Sequence, residues 1–309
     1  MPAQTREIKG RIKAVGNIQR ITKTMQMIAT ARFQAMQKRA TSAQAYTRRI
    51  AQLVGELSSS AAAGGREHPL LSAPAEPVGR RLLLVITSNR GLCGAYNANV
   101  LRQAMRFIRE QEAAEVDVEA VGKKAVNFMR FNRVELSRFH EHIGDTPRYE
   151  DVEVLASQYM ADFEAGMYDG VHVAFTEFES MSRQTARVMR LLPAEDPTSE
   201  AEPDQGGVDG AGLGGGGAGG GGGAVEYDFT PGPEELLADL LPVTIKTRLF
   251  QCFNESVVSE QLSRMVAMKA ATDAAGKMKK SLQQSFNRAR QAAITTELSE
   301  IISGAAALE

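Results

Sequence analysis

Hydrophobic positions divide the chain into three stretches of different period. From Ile8 onward the apolar residues Ile12, Val15, Ile18, Ile21, Met25, Ile28, Phe33 and Met36 recur at a mean spacing of about 3.5, the period of a coiled-coil seam. No proline follows Pro2 here, so one helix is predicted to about Leu57, where Ser58-Ser59-Ser60 and then Gly64-Gly65 break it. At 1.5 Å per residue that helix is a rod of roughly 80 Å. The other end mirrors it. Pro233-Glu234-Glu235 opens a helix, Pro242 restarts or kinks it, and the pattern continues to Ser303 before Gly304, as expected for proline at a helix start and glycine past its end. Its predicted seam is Met265, Met268, Thr272, Ala275, Met278, Leu282, Ala289, Ala293, Leu298 and Ile301. Many of these residues are small, so two helices can approach closely along it.

Between the ends the period shortens. Strands are predicted at 81–87, 116–121, 133–139, 171–178 and 186–192, and helices at 97–111, 123–131 and 150–166. Strands alternating with helices indicate a small α/β unit with a largely parallel sheet. The expected class is therefore α+β: a long antiparallel coiled coil of the terminal helices around a central α/β, Rossmann-like domain. The expected boundaries are 1–60 for the first helix, 78–193 for the central domain, 194–232 for an insert and 233–309 for the second helix. The insert stands apart, with 13 Gly among the 18 residues from Gly206 to Gly223 and acids on either side. Such a composition predicts a tether.

Charge sharpens this division. The formal net charge is only -1, yet residues 1–50 carry eleven Lys or Arg against the single acid Glu7, and residues 191–245 carry eleven acids with no Lys or Arg. Segregation of that kind implies a partner or a tether. Aromatics make up 6% of the chain, Trp is absent and there are 13 Met, a composition suited to adaptable helix packing rather than rigid aromatic pockets. Cys93 and Cys252 have no C-x-x-C spacing and suggest neither zinc nor a dithiol couple. The longest aliphatic run, Leu82 to Ile86, falls far short of the ~20 residues of a membrane span.

Candidate chemistry is sparse. The turn Ser88-Asn89-Arg90-Gly91-Leu92-Cys93-Gly94-Ala95-Tyr96-Asn97 has the look of a phosphate cradle at a helix N-terminus. It lacks both G-x-G-x-x-G and the P-loop lysine, which favours a structural turn with Asn97 as N-cap. Cys93 next to Arg90 has no histidine nearby in sequence and reads as packing. His140 and His142 could share one strand face, but no third ligand at a recognisable spacing accompanies them. Glu150 with Asp151 at a helix start needs only the macrodipole to explain it. The basic first helix admits two further readings: an adaptor for nucleic acid or an anionic membrane, or the partner of an acidic protein surface. The missing interleaved aromatics count against nucleic acid. An enzyme built on the α/β domain would need a nucleotide or metal to bind there.

Several blocks bring in a family. Ile18-Gln19-Arg20-Ile21-Thr22-Lys23-Thr24-Met25-Gln26-Met27-Ile28-Ala29, Arg90-Gly91-Leu92-Cys93-Gly94, Glu260 to Ala275 and Asn287 to Leu298 closely resemble the gamma subunits of F-type ATP synthases, the central shafts of those rotary motors. The resemblance spans the chain except about 195–225. It implies a non-catalytic rotor shaft without cofactor or metal, standing in a ring of three alpha and three beta subunits. The foot of the shaft would rest on epsilon and the membrane c-ring. It also implies rotor–stator contacts at Lys23, Met25, Arg264, Gln291 and Thr295, with Met25 near an acidic beta loop. The small, apolar end Ser303 to Leu308 would turn in a collar. The family-like start without a presequence implies a peripheral place on the cytoplasmic side of a bacterial inner membrane. Chloroplast relatives carry an inserted cysteine pair that acts as a thiol switch; the insert here has no Cys, so that control is not expected.

Overall fold

The computed structural model describes residues 3–62, 68–72, 74, 76–111, 114–194 and 233–306. The acidic, glycine-rich stretch 195–232 and the final residues 307–309 lie outside them. Helix α1 (Ala3–Ala62) leads into β1 (Arg80–Ile86), α2 (Tyr96–Glu110), β2 (Glu115–Val121), α3 (Lys123–Phe131) and β3 (Arg138–Phe139). Then follow α4 (Tyr149–Glu164), β4 (Gly170–Phe178), β5 (Gln184–Leu192) and α5 (Pro233–Ala306). At 60 and 74 residues, α1 and α5 are about 90 and 110 Å long. α5 passes through Pro242 without ending.

The strands form one sheet in the order β3-β2-β1-β4-β5. All neighbours are parallel except the β4–β5 hairpin, so the largely parallel sheet expected from the alternation is present. Leu83, Val85, Val118 and Ala120 face one side, under Leu101 and Ala104 of α2 and Ala125 and Met129 of α3. Leu82, Leu84, Val173 and Phe175 face the other, under Val152, Tyr159 and Phe163 of α4. That second layer also takes in α5: Leu237, Leu241, Ile245, Leu249, Cys252 and Phe253 are buried there. Gly122 is at φ 91°, and a Cβ on it would stand 2.2 Å from the Thr87 carbonyl oxygen, so only glycine fits where β2 turns into α3 beside the end of β1.

Strand 133–139 is shorter than its β-branched and apolar residues suggest. Arg133 adopts φ 58°; its N–H and that of Val134 donate to the carbonyls of Arg130 and Met129. This is the Schellman closure of α3, and it uses the backbone groups a strand would need. Asn97 is likewise no N-cap: α2 starts at Tyr96 after Ala95.

α1 and α5 run antiparallel. Phe33 packs with Leu262 and Val258, Thr272 donates to the Thr22 hydroxyl at 2.8 Å, and a Cβ on Gly276 would stand 3.1 Å from Gln19 Nε2. The face turned to α5 is Ile8, Ile12, Val15, Gln19, Thr22, Gln26, Ala29, Phe33 and Met36, each buried or half-buried, in alternating steps of four and three.

The apolar pattern alone misplaces the middle of this seam, because Ile18, Ile21, Met25 and Ile28 are exposed. A mean spacing of 3.5 hides their phase. Two successive steps of three from Val15 carry Ile21 about 120° around the helix, whereas Thr22, seven residues on, drifts only about 20°. On α5, Met278 is exposed for the same kind of reason. Leu298 and Ile301 are exposed because α1 has run out: the register that sets Gln19 beside Gly276 ends at Ala3, about level with residue 292.

The phase can be checked by thermal unfolding. Phe33→Ala should cost about 3–5 kcal/mol through the cavity it leaves, and Ile21→Ala within about 0.5 kcal/mol. The opposite ranking would restore the seam read from the apolar residues.

Candidate functional site

Where the rod meets the loop after β1, a groove of about 280 Å³ opens between Met25, Ile28 and Arg32 of α1, Gln261 and Arg264 of α5, and Leu92 of the loop. The loop is held from within. Asn97 Oδ1 accepts from the Ser88 N–H at 3.0 Å, the Ser88 hydroxyl donates to the Arg90 carbonyl at 2.5 Å, and Asn97 Nδ2 donates to Cys93 Sγ at 3.1 Å. Leu92 takes a left-handed φ of 64° and is exposed. These bonds are those of a structural turn: they occupy the side chains that a phosphate cradle would leave free.

Arg264 fastens this loop to the rod. Its Nη2 donates to Glu260 Oε1 at 2.6 Å and to the Gly91 carbonyl at 3.4 Å. Its side chain is only 13% exposed and that of Glu260 only 8%. Burial pushes the Glu260 carboxyl up; the Arg264 guanidinium pulls back, and the net shift is upward. Asp145 closes the rim, 3.7 Å from Arg90 and 3.3 Å from Asn89.

The residues expected to touch a stator fall into two groups. Met25 and Arg264 line the groove, and exposed Lys23 lies one half-turn from Met25. Gln291 and Thr295, both exposed, lie 27 or more residues beyond Arg264 along α5, roughly 40 Å away. Periodicity missed the exposed row of Ile18, Ile21 and Ile28 flanking Met25, and the exposed Ile294, Leu298, Ile301 and Ile302 near the far end. Stepping back from Phe33 by four and three would have found the first row, since it puts Gln26, Thr22 and Gln19 inside.

Comparison with known proteins agrees over the whole length. Residues 4–308 match the family model described as ATP synthase. The ATP synthase gamma chain of Rhodopirellula baltica is 40% identical over 309 residues, covering 99% of both chains. This chain belongs to the ATP synthase gamma-chain family. The gamma chain of Leptospira biflexa is 38% identical over 308 residues, again covering 99% of each. Among solved structures, a chain of the Euglena gracilis mitochondrial ATP synthase, in an assembly of OSCP, F1 and c-ring, superposes with a TM-score of 0.63. It is 18% identical and covers 99% of this chain and 94% of its own. The Tetrahymena thermophila central stalk and c-ring structure gives 0.54 at 18% identity, covering 81% and 99%. The paired helices and central sheet are thus the fold of the ATP synthase central stalk.

In this gamma-family chain the remaining candidates are structural. Both cysteines are buried and free, and burial pushes the Cys252 thiol up. No helix among the described residues is long and apolar enough to cross a membrane, and no group of three or more His, Cys, Asp or Glu among them could hold a metal. The His140 and His142 rings meet edge to face at 5.8 Å, but His140 Nε2 is committed to Glu119 at 2.7 Å. The Tyr159 hydroxyl also donates to Glu119, at 2.6 Å. Burial alone raises this carboxyl, and the His140 and Tyr159 bonds outweigh it, so Glu119 titrates below its ordinary 4.5.

A depressed carboxyl contributes stability above its unfolded value and loses it as pH falls through the folded one. Stability of the chain should therefore drop as pH falls below 4.5. Glu119→Gln should cost about 1.5–3 kcal/mol at pH 7 and flatten that acid limb. Denaturant titrations at several pH values check this; an unchanged acid limb in the variant would count against Glu119 as its source.

Proposed function

We propose that the α1–α5 rod turns inside a ring of three alpha and three beta subunits as the rotor shaft of an ATP synthase. It couples rotation of an ion-driven membrane c-ring to ATP synthesis or hydrolysis at sites on those other chains. In this reading the chain is not itself catalytic. Its sheet-bearing foot meets epsilon and the c-ring, and it sits peripherally on the cytoplasmic side of a bacterial inner membrane. The units are the rod helices 1–60 and 233–309, the central domain 78–193 and the insert 194–232.

The observation that carries the proposal is the exposed apolar row Ile18, Ile21, Met25 and Ile28 beside cationic Lys23 and Arg32. A rod that already has its own seam gains nothing from a second row unless another surface covers it. Lys23 and Met25 form the lower rotor–stator contact and Gln291 and Thr295 the upper one, while Arg264 sets the position of the lower one through Gly91. One asymmetric shaft cannot meet three identical interfaces alike. Each catalytic interface therefore sees a different face of it, and the difference in contact free energy between open and closed beta conformations shifts nucleotide affinity at each site in turn.

The test is reconstitution with alpha and beta subunits of such a motor, which should yield a complex with one shaft whose ATPase activity depends on this chain. Arg264→Ala should lower that activity about tenfold or more, as expected when one partner of a buried charged pair is removed. Deleting residues 304–309 should cost less than about twofold. Activity without the chain, or the reverse ranking, would contradict the assignment.

A further inference from the structure

On the face of the sheet away from α4 and α5, a cleft of about 1070 Å³ lies between α2 and α3. The shaft reading leaves it unused. Arg102, Arg106 and Arg109 run along its α2 side, Lys124 faces them from α3, and Glu110 at one end is the only acid lining it among the described residues. The spacing i, i+4, i+7 puts the three arginines on one stripe of α2. None of the four cations has an ion-pair or hydrogen-bond partner among the described residues. Like charges at i, i+4 destabilise a helix by about 0.2–0.5 kcal/mol per pair, so the row gains from any anion laid along it. Between the cations the surface is apolar, with Met105 and Phe128 half-buried and Phe131 85% exposed.

The chain leaves the sheet from β5, the edge strand next to β4. Phe107, next to Arg106 and two residues from Arg109, stacks on His172 of β4 with ring centroids 4.6 Å apart. His172 pairs with Arg190 of β5, four residues before Ala194. Ala194 itself packs with Leu70 on the α4–α5 side, its N–H donating to the Leu70 carbonyl at 2.8 Å. The next fifteen residues carry Glu195, Asp196, Glu200, Glu202, Asp204 and Asp209 and no Lys or Arg. Fifteen residues can span up to about 50 Å, enough to round the β5 edge and run along the 15 residues of α2, about 22 Å.

We propose that residues 195–209 dock in the α2–α3 cleft of the same chain, their carboxylates pairing with Arg102, Arg106, Arg109 and Lys124. An acidic block tethered at the β5 edge supplies both the charge complement to the basic cleft and a high effective concentration. Docking covers the exposed Phe131 and is broken by salt, because each pair is solvent-exposed and screened. It does not draw on the proposed rotor–stator residues: the four cations lie across the sheet from the first turns of α5, and the cleft approaches the rod only at Gly94.

The full chain carrying a photoreactive phenylalanine analogue at 131 tests this. Cross-links should map to residues 195–209 of the same chain. Their yield should fall at least about fivefold between roughly 0.05 and 0.5 M salt. It should fall similarly in the R102E/R106E/R109E variant, and when the six acids are changed to their amides. The amide variant leaves the folded sheet untouched, so it decides the matter even if the charge-reversed α2 unfolds. Cross-links to a second copy, distinguished by mixing isotopically labelled and unlabelled chains, would overturn the proposal. So would cross-links to other segments, their absence at low salt, or yields that neither variant changes.

Discussion

α5 is buried twice, and the rest of the structure depends on that. Its first six turns put Leu237, Leu241, Ile245, Leu249 and Phe253 into the core beneath the sheet, and from Val258 onward the same helix turns Leu262, Met268 and Ala275 toward α1. One continuous helix, lacking only the bond that Pro242 cannot donate, therefore belongs to both the sheet and the rod. A linker between them would let each move independently. A continuous helix makes twisting of the rod and turning of the sheet one motion, the mechanical condition for a shaft driven from its foot.

Along the rod, the residues left out of the seam matter as much as those inside it. Small or polar partners (Gln19, Thr22, Gln26 and Ala29 against Thr272, Ala275 and Gly276) let the helices come close, and the Thr272–Thr22 hydrogen bond pairs two half-buried hydroxyls. Such a seam buries little apolar area. The isoleucines that would have strengthened it stand outside, about half exposed, each leaving about 1 kcal/mol of burial unrealised. In the isolated chain this is a deficit. In a complex it becomes contact free energy that a surrounding surface can collect differently at different angles.

The sequence conveyed the architecture well and the phase poorly. Strand and helix alternation located nearly every element of the central sheet, because buried runs such as Leu82 to Ile86 are unambiguous at that length. It overextended β3, where a left-handed residue other than glycine, Arg133, ends α3; nothing in the residue types announces that conformation. It found both rod helices but assigned the middle of α1 to the wrong face, since hydrophobicity was taken as the marker of burial at a place where burial went to Gln and Thr. The resemblance to gamma subunits named Met25 and Arg264 together, and the groove they share could not be read from periodicity because they lie 239 positions apart. Nor could it show that Arg264 points inward, to Glu260 and Gly91.

That inward bond bears on how the rod stays fixed to the loop. Apolar packing is non-directional: ridges of one helix can slide against another with modest loss until a groove is crossed. Torsion applied at the sheet loads the α5–loop contact in that compliant direction. Arg264 answers with two directional bonds from one guanidinium, to the Glu260 carboxylate on its own helix and the Gly91 carbonyl across the joint. Because the Glu260 pair is largely withdrawn from water, breaking it exposes an uncompensated charge rather than exchanging one solvated partner for another. A lysine has the charge but not the planar fork that holds two acceptors in fixed directions. The joint is therefore stiffest in the direction where hydrophobic burial is weakest, and the groove beside it, with Met25 and Leu92 on its walls, keeps its shape as the rod turns.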